Sequence, residues 1–332
     1  MKVTVHKLAE VTGMSPATID RVLNDRPGVR ARTRERVLAA ARNLGYRPDA
    51  AENSALTPGF DVLLPPADNV FMVRLRDAIV ARANAVGVNV RVAHLELSAQ
   101  AYAEALRRET TSEGVALIAP DHPEVREALR ALSQRGVPVF TMISDLPGLP
   151  RTGYIGTDNH AAGRLVGQLV SRFLGPDPGP AALFAGTTRY RGHSDRVAGF
   201  TAAMGERAPH VEILPTRETL DRDEGCIAAL DAALARAPNL SAIYNTGSGS
   251  ATLAEALEQR GLADQVILIG HELTEGTRRA LISGALDAVI DQNAERQALL
   301  AVEALVAARE GRNPDLPPAL PPVLILRENL PA

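Results

Sequence analysis

The sequence predicts a small all-α head followed by a larger, two-lobed α/β body with parallel sheets. Three features carry that expectation. Residues 3–48 read as three short helices with sharp punctuation between them. From Phe60 onward, short apolar runs alternate with helical stretches, the pattern of βαβ units on a parallel sheet. That alternation is run through twice, over about residues 59–157 and about 158–290.

In the head, Thr4 can cap a first helix with Val5, Leu8, Ala9 and Thr12 on its apolar face, and Gly13-Met14 makes a tight turn. Ser15 caps a second helix, with Pro16 at the first helical position, where its missing N–H costs nothing. Ile19, Val22 and Leu23 share one face at the i, i+3, i+4 spacing, and the helix stops at Asn24-Asp25. A third helix runs from about Arg32 to Leu44, with Val37, Leu38 and Ala41 inward and Gly45 closing it. Helix, short turn, helix and supporting helix is the layout of a helix-turn-helix DNA reader. Residues 1–48 carry ten Lys and Arg against four carboxylates, a net +6, whereas the remainder is −9, so that only the head suits a polyanion. The plainer alternative is a helical cap with solvated arginines.

The run VTVHKLAEVTGMSPATIDRVLN, followed by TRERV at 33–37 and LGYRP at 44–48, resembles the DNA-binding head of the lactose-repressor (LacI) family over its whole length. More loosely, the rest of the chain resembles that family's periplasmic-binding-protein-like, sugar-binding body. The resemblance implies a hinge helix over 49–58 that folds on DNA and wedges a leucine into the minor groove. Here the wedge position is Ala55, and Leu56 lies one residue late, while Asp49 and Glu52 add negative charge beside DNA.

Within the head, Arg21 suits a bidentate contact to guanine. Pro16 and Ala17 occupy the positions that resemble the family's main specificity pair and offer shape or a thymine-methyl contact. Asp20 either accepts from cytosine or orients Arg21, the second being preferred. Ser15, Thr18 and Asn24 suit phosphate contacts, Ser15 alongside its capping role, and Thr4 joins them at the start of the first helix.

The body is expected to begin with an apolar strand from Phe60, a helix at about 71–86, a strand after Gly87 and a helix at 99–113. A strand at 115–119, a helix at about 124–135 and a strand at 137–143 complete the first round. The second round has helices at 159–174, 194–207, 223–236, 250–260 and 275–283. Its strands fall at 181–185, 211–214, 241–245, 266–269 and 287–290. A helix at about 293–310 and a last strand near 323–326 are expected to return to the first lobe, giving it about 59–157 plus 291–326. Two such lobes suggest a clamshell with ligand near the carboxyl ends of the strands.

By resemblance, the effector contacts are Asn69, Phe71, Asp145, Arg196, Asn245, His271, Glu272 and Gln292. Phe71 is either a stacking face or core. Arg196, in HSDRVAGF at 193–200, matches the residue that grips ligand in the family; the alternative is an ion pair with Asp195 or Glu206. The family usually has Asp where Glu272 stands and an aromatic where His271 stands. Together these residues suggest a polyhydroxylated ligand, a sugar or polyol.

Enzyme motifs fail one by one. Gly247-x-Gly249 follows a strand, but Thr252 takes the third-glycine position of a dinucleotide fingerprint. A phosphate-binding GxxxxGK[ST] is impossible because the last lysine is Lys7. Residues 192–196 begin like a nucleophile elbow but lack its final Gly. The seven histidines include no HExxH, and Cys226 is the single cysteine, so no catalytic group, cofactor, metal cage or disulfide is expected. No signal peptide or membrane span is apparent, and a cytoplasmic, nucleoid-associated protein follows. With no heptad tail after the last strand, a homodimer is expected over a tetramer. The sequence therefore reads as a DNA-binding regulator, foremost a repressor, controlled by a small effector. The alternative is a cytoplasmic sugar-binding or sugar-processing protein with a non-functional head.

Overall fold

The computed structural model divides the chain into two units, Met1–Thr57 and Pro58–Ala332. It describes residues 5–15, 18, 19, 22, 33, 36, 37 and 40 of the first, and residues 59–67, 69–108 and 112–331 of the second.

In the first unit, helix α1 (Val5–Thr12) ends where the Thr12 hydroxyl donates back to the Leu8 carbonyl at 2.6 Å. Gly13, at φ +68°, then turns the chain in the left-handed region that glycine tolerates. Ser15 Oγ accepts from the Thr18 N–H at 3.2 Å, the bond expected of a helix N-cap. Leu8, Ile19, Val22 and Val37 are fully or almost fully buried together, as the periodicity required.

In the second unit, five parallel strands form the first sheet in the order β2-β1-β3-β4-β5. They are β1 (Gly59–Leu64), β2 (Val90–His94), β3 (Ser112–Leu117), β4 (Val139–Met142) and β5 (Gly153–Ile155). Helices α2 (Val70–Ala85), α3 (Ala99–Arg107) and α4 (Pro123–Gln134) connect them. The two-residue alternation sorts the strand faces. Phe60, Val62 and Leu64 pack with Leu75 and Ile79 of α2, whereas Leu63, Val115 and Leu117 pack with Tyr102 of α3 and Leu129 of α4.

The second sheet runs β11-β10-β9-β8-β6-β7. Its strands are β6 (Ala181–Ala185), β7 (Arg217–Glu218), β8 (Ala242–Asn245), β9 (Ile267–His271), β10 (Ala288–Asp291) and β11 (Val323–Ile325). Helices α5 (Asn159–Phe173) and α6 (Arg191–Arg207) cover one face through Val166, Val170 and Phe200. Helices α7 (Asp223–Arg236), α8 (Ser250–Gln259) and α9 (Glu275–Ser283) cover the other through Leu230, Leu257 and Leu281. Helix α10 (Ala294–Arg309) crosses back and packs Ala301 and Leu305 into the first core.

Three features depart from the sequence expectation. The last strand, β11, does not return to the first lobe; it pairs antiparallel with β10, Asp291 opposite Val323, and extends the second sheet. The run 211–214 is not a strand, because it meets β6 in a single bridge, Ala181 to Ile213, before Pro215, which has no N–H to continue a ladder. Strand β7 follows it instead. Strand β5 was not anticipated, being three residues long and bounded by Gly153 and Gly156. Among the described residues, no helix is long and apolar enough to cross a membrane.

Helices α5 and α6 touch backbone to backbone through glycines. A Cβ on Gly163 would strike the Arg196 carbonyl, and one on Gly199 the His160 carbonyl. Gly163→Ala should therefore cost roughly 1–3 kcal/mol in denaturant unfolding. Gly175→Ala, where an added Cβ meets nothing within 4 Å, should leave stability nearly unchanged.

Candidate functional site

Parallel strands bring their carboxyl ends to one side, and here the two sheets turn those ends toward each other. Between them lies a cavity of about 970 Å³, lined by Ile143 and Ser144 after β4, Thr246 after β8, Glu272 after β9 and Gln292 after β10. The lobes also touch directly: Gly192 N–H donates to Ser144 Oγ at 3.1 Å, and Asp121 N–H to the Arg189 carbonyl at 3.0 Å.

Arg196 is the anchor of this cavity. Only 3% of it is exposed. Its Nε donates to Asn159 Oδ1 and its Nη1 to the Thr246 carbonyl, both at 2.7 Å. Asn159 Nδ2 in turn donates to the Ile143 carbonyl at 2.7 Å, so the guanidinium is tied across the lobe crossing. Nη2 carries the donors left for a ligand. The ion-pair alternative fails: Asp195 faces Arg191 and Glu206 pairs with Arg164.

Two histidines stand beside it. His193 Nδ1 accepts from the Gly186 N–H at 3.0 Å, which assigns the ring proton to Nε2. Burial pushes the His193 pKa down to about 4, against the opposing pull of Asp221. His271 Nε2 lies 2.9 Å from the Tyr244 hydroxyl, and burial holds this ring neutral as well.

The opposite wall is acidic. Gln292 Nε2 donates to Glu272 Oε1, while Glu272 Oε2 and Gln292 Oε1 are buried with no hydrogen-bond partner among the described residues. Burial, reinforced by Asp291, raises the Glu272 carboxyl to about 8, although Gln292 and Arg196 work against the shift. Glu272 also sits at φ +67°, a conformation costly for a residue with a Cβ. Asp291 fixes this corner by accepting from Leu273 N–H at 3.0 Å and Asn293 N–H at 2.6 Å.

Of the eight residues expected to meet an effector, six line the cavity: Asn69, Phe71, Arg196, His271, Glu272 and Gln292. Asn69 also caps α2 through the Phe71 N–H, and Phe71 packs into the first core, so it is lining and core at once. Asp145 and Asn245 are not brought to it. At Ile143, φ +60° turns the chain after β4, and Asp145 is taken instead by Arg151, Thr141 and the Leu146 N–H. Burial works to raise its pKa, but these partners hold it below the ordinary value. Asn245 Nδ2 fastens its own loop by donating to Ser248 O at 2.8 Å and Ser250 Oγ at 2.9 Å. The next residue, Thr246, reaches the cavity. His193 was legible as the i−3 neighbour of Arg196 on one helix face. Asp221 had no signal, since it follows the unexpected β7. Thr4, Pro16, Ala17, Asp20, Arg21, Asn24, Ala55 and Leu56 lie outside the described residues. Ser15 and Thr18 lie within them, their hydroxyls 2.9 Å apart.

The sequence profile of the periplasmic binding protein domain matches residues 60–313, and that of bacterial regulatory proteins of the lacI family matches residues 4–49. Catabolite control protein A of Priestia megaterium is 37% identical over 82 residues, 24% of this chain and 25% of that protein. The HTH-type transcriptional regulator DegA of Bacillus subtilis (strain 168) is 23% identical over 230 residues, 67% of each chain. The chain thus spans a quarter of the length of the first relative and about two thirds of the second. In fold it is similar to GanP, a glucose-galactose binding protein from Geobacillus stearothermophilus. That likeness has a TM-score of 0.74 at 21% identity, covering 83% of this chain and 100% of the other.

Glu272 and His193 shift stability with pH in opposite senses. Glu272 holds its proton up to about 8, against 4.5 for an ordinary glutamate, so the folded chain binds more protons across that window and its stability falls as pH rises. His193, held at about 4 against 6.5, contributes stability that rises with pH and is complete above 6.5. From pH 6.5 to 8 the Glu272 contribution therefore stands apart from that of His193. Across that interval Glu272→Gln should gain melting temperature relative to the parent chain; a difference independent of pH would contradict a buried, proton-holding carboxyl.

Proposed function

Since the chain belongs to the lacI family of bacterial regulatory proteins, with a periplasmic binding protein domain as its body, we propose that it is a sequence-specific transcriptional regulator controlled by a small, polyhydroxylated effector held between the two lobes. The observation that carries this reading is the cleft itself, lined by a buried arginine with donors to spare and by buried acceptors that no donor meets, in a chain whose residues 1–48 carry a net +6. The role is one of binding rather than catalysis. The likeness in fold to GanP, a glucose-galactose binding protein, supports a sugar in such a cleft.

In this reading Arg21 reads guanine from the second head helix, Pro16 and Ala17 shape the contact, Asp20 orients Arg21, and Thr4, Ser15, Thr18 and Asn24 meet phosphates. Ala55 and Leu56 stand at the hinge, beside the centre of the operator. Asn69, Phe71, Arg196, His271, Glu272 and Gln292 hold the effector. The protein acts in the cytoplasm as a homodimer, because one head buries too little surface for tight specific binding and two heads match a pseudo-palindrome. Repression is the first expectation. Effector and DNA are linked reciprocally: an effector that weakens operator binding is itself bound more weakly by the DNA-bound form, by the same factor.

The test is fluorescence anisotropy on operator DNA selected from random sequence by the full chain, with and without candidate sugars. Arg21→Ala should cost roughly 1–3 kcal/mol of operator affinity and relax specificity at one base pair. Unchanged affinity would favour the sugar-protein alternative, to which the acidic hinge residues Asp49 and Glu52 also point. Arg196→Met should leave operator affinity intact and abolish the effector response.

A further inference from the structure

We infer that the effector carries a primary amine, seated as an ammonium between Glu272 Oε2 and Gln292 Oε1; this rests on the reading of the cleft as an effector site and narrows the class of effector to an amino sugar or amino polyol. That corner presents acceptors without donors, beside a carboxyl that a cation would ionise. Gln292 is 5% exposed and contributes to the cavity wall, yet its Oε1 has no donor. Its Nε2 is already committed to Glu272 Oε1, which leaves Glu272 Oε2 unpartnered in the same small space. Two adjacent acceptors held by one amide–carboxyl contact call for a group with more than one N–H or O–H.

A hydroxyl supplies one donor and no charge, whereas an ammonium supplies three donors and a positive charge that draws the proton off Glu272. Among the described residues no cation of the protein hydrogen-bonds to either atom, although Arg196 lies close enough to draw the Glu272 pKa down. Arg196 donates to Asn159 and Thr246. Arg74 donates from Nε and Nη2 to Glu295 and from Nη1 to the Leu273 carbonyl. Asp291 lies close enough to add like charge to Glu272, and both Asp291 oxygens accept backbone N–H groups. Around the whole cavity, five carboxylates besides the protonated Glu272 stand against three guanidinium groups, so a cationic ligand enters a field of opposite sign. A buried carboxyl with a raised pKa is returned to its ionised form by such a neighbour.

The test titrates the full chain, by calorimetry and thermal melting, with D-glucosamine, D-galactosamine and D-mannosamine. Each is matched against its neutral hexose and its N-acetyl derivative, which keeps the ring and removes the charge. At least one hexosamine should bind ten-fold or more tightly than both of its neutral partners. Glu272→Gln should weaken it ten-fold or more while melting no lower than the parent without ligand. The inference is overturned if a neutral sugar binds as tightly as its amine, if Glu272→Gln leaves amine binding unchanged, or if no hexosamine binds. Binding of neutral sugars alone overturns the amine and leaves the sugar-effector reading standing. Absence of binding by either class counts against both.

Discussion

The buried guanidinium of Arg196 is the constraint on which the body is arranged. A charge cannot be removed from water without hydrogen bonds that replace hydration, and here the protein supplies two acceptors from different elements, Asn159 on α5 and the Thr246 carbonyl after β8. Asn159 passes the tie to the Ile143 carbonyl, at the end of a first-lobe strand. One side chain thereby joins helix packing, a strand end and the lobe crossing. The close approach of α5 and α6 follows from the same need, since the backbone of Arg196 lies against Gly163, where any larger residue would push the arginine out of reach.

The far wall is built by a complementary device. Asp291 holds the turns after β9 and β10 by accepting from the Leu273 and Asn293 N–H groups. Those turns carry Glu272 and Gln292, and Glu272 adopts a left-handed conformation to face the cavity. Local strain and an unsatisfied carboxyl are both destabilising, and they coincide at one residue in the cleft, as expected where structure is shaped by ligand rather than by the core alone. The cleft is therefore polarised: donors on the α6 side, acceptors on the side of β9 and β10.

Much of this was legible in the chain. Strand alternation around Phe60, Val62 and Leu64, and the i, i+3, i+4 faces of the helices, are local consequences of burial and were read directly. Arg196 is legible through the family resemblance of its segment, and Glu272 through resemblance together with its place after a strand. Asp145 and Asn245 had the same credentials and turned away, because a positive φ at Ile143 and bonds within the loop after β8 are decided by tertiary packing. The placement of β11 was lost for the same reason: a three-residue strand carries no information about which sheet edge it joins. Asp221 was invisible because β7, two residues long, leaves no periodic trace.

The central claim is that Arg196 and Asn159 act as one unit that holds the lobe crossing and presents the guanidinium to the cleft. A double-mutant cycle on denaturant unfolding measures this most directly, using Arg196→Met, Asn159→Ala and the double variant. The account predicts a coupling energy of about 1–3 kcal/mol, since either change alone strands the partner's buried polar group. Effects that add to within about 0.5 kcal/mol would contradict it, and would mean that the two side chains are neighbours without a shared role.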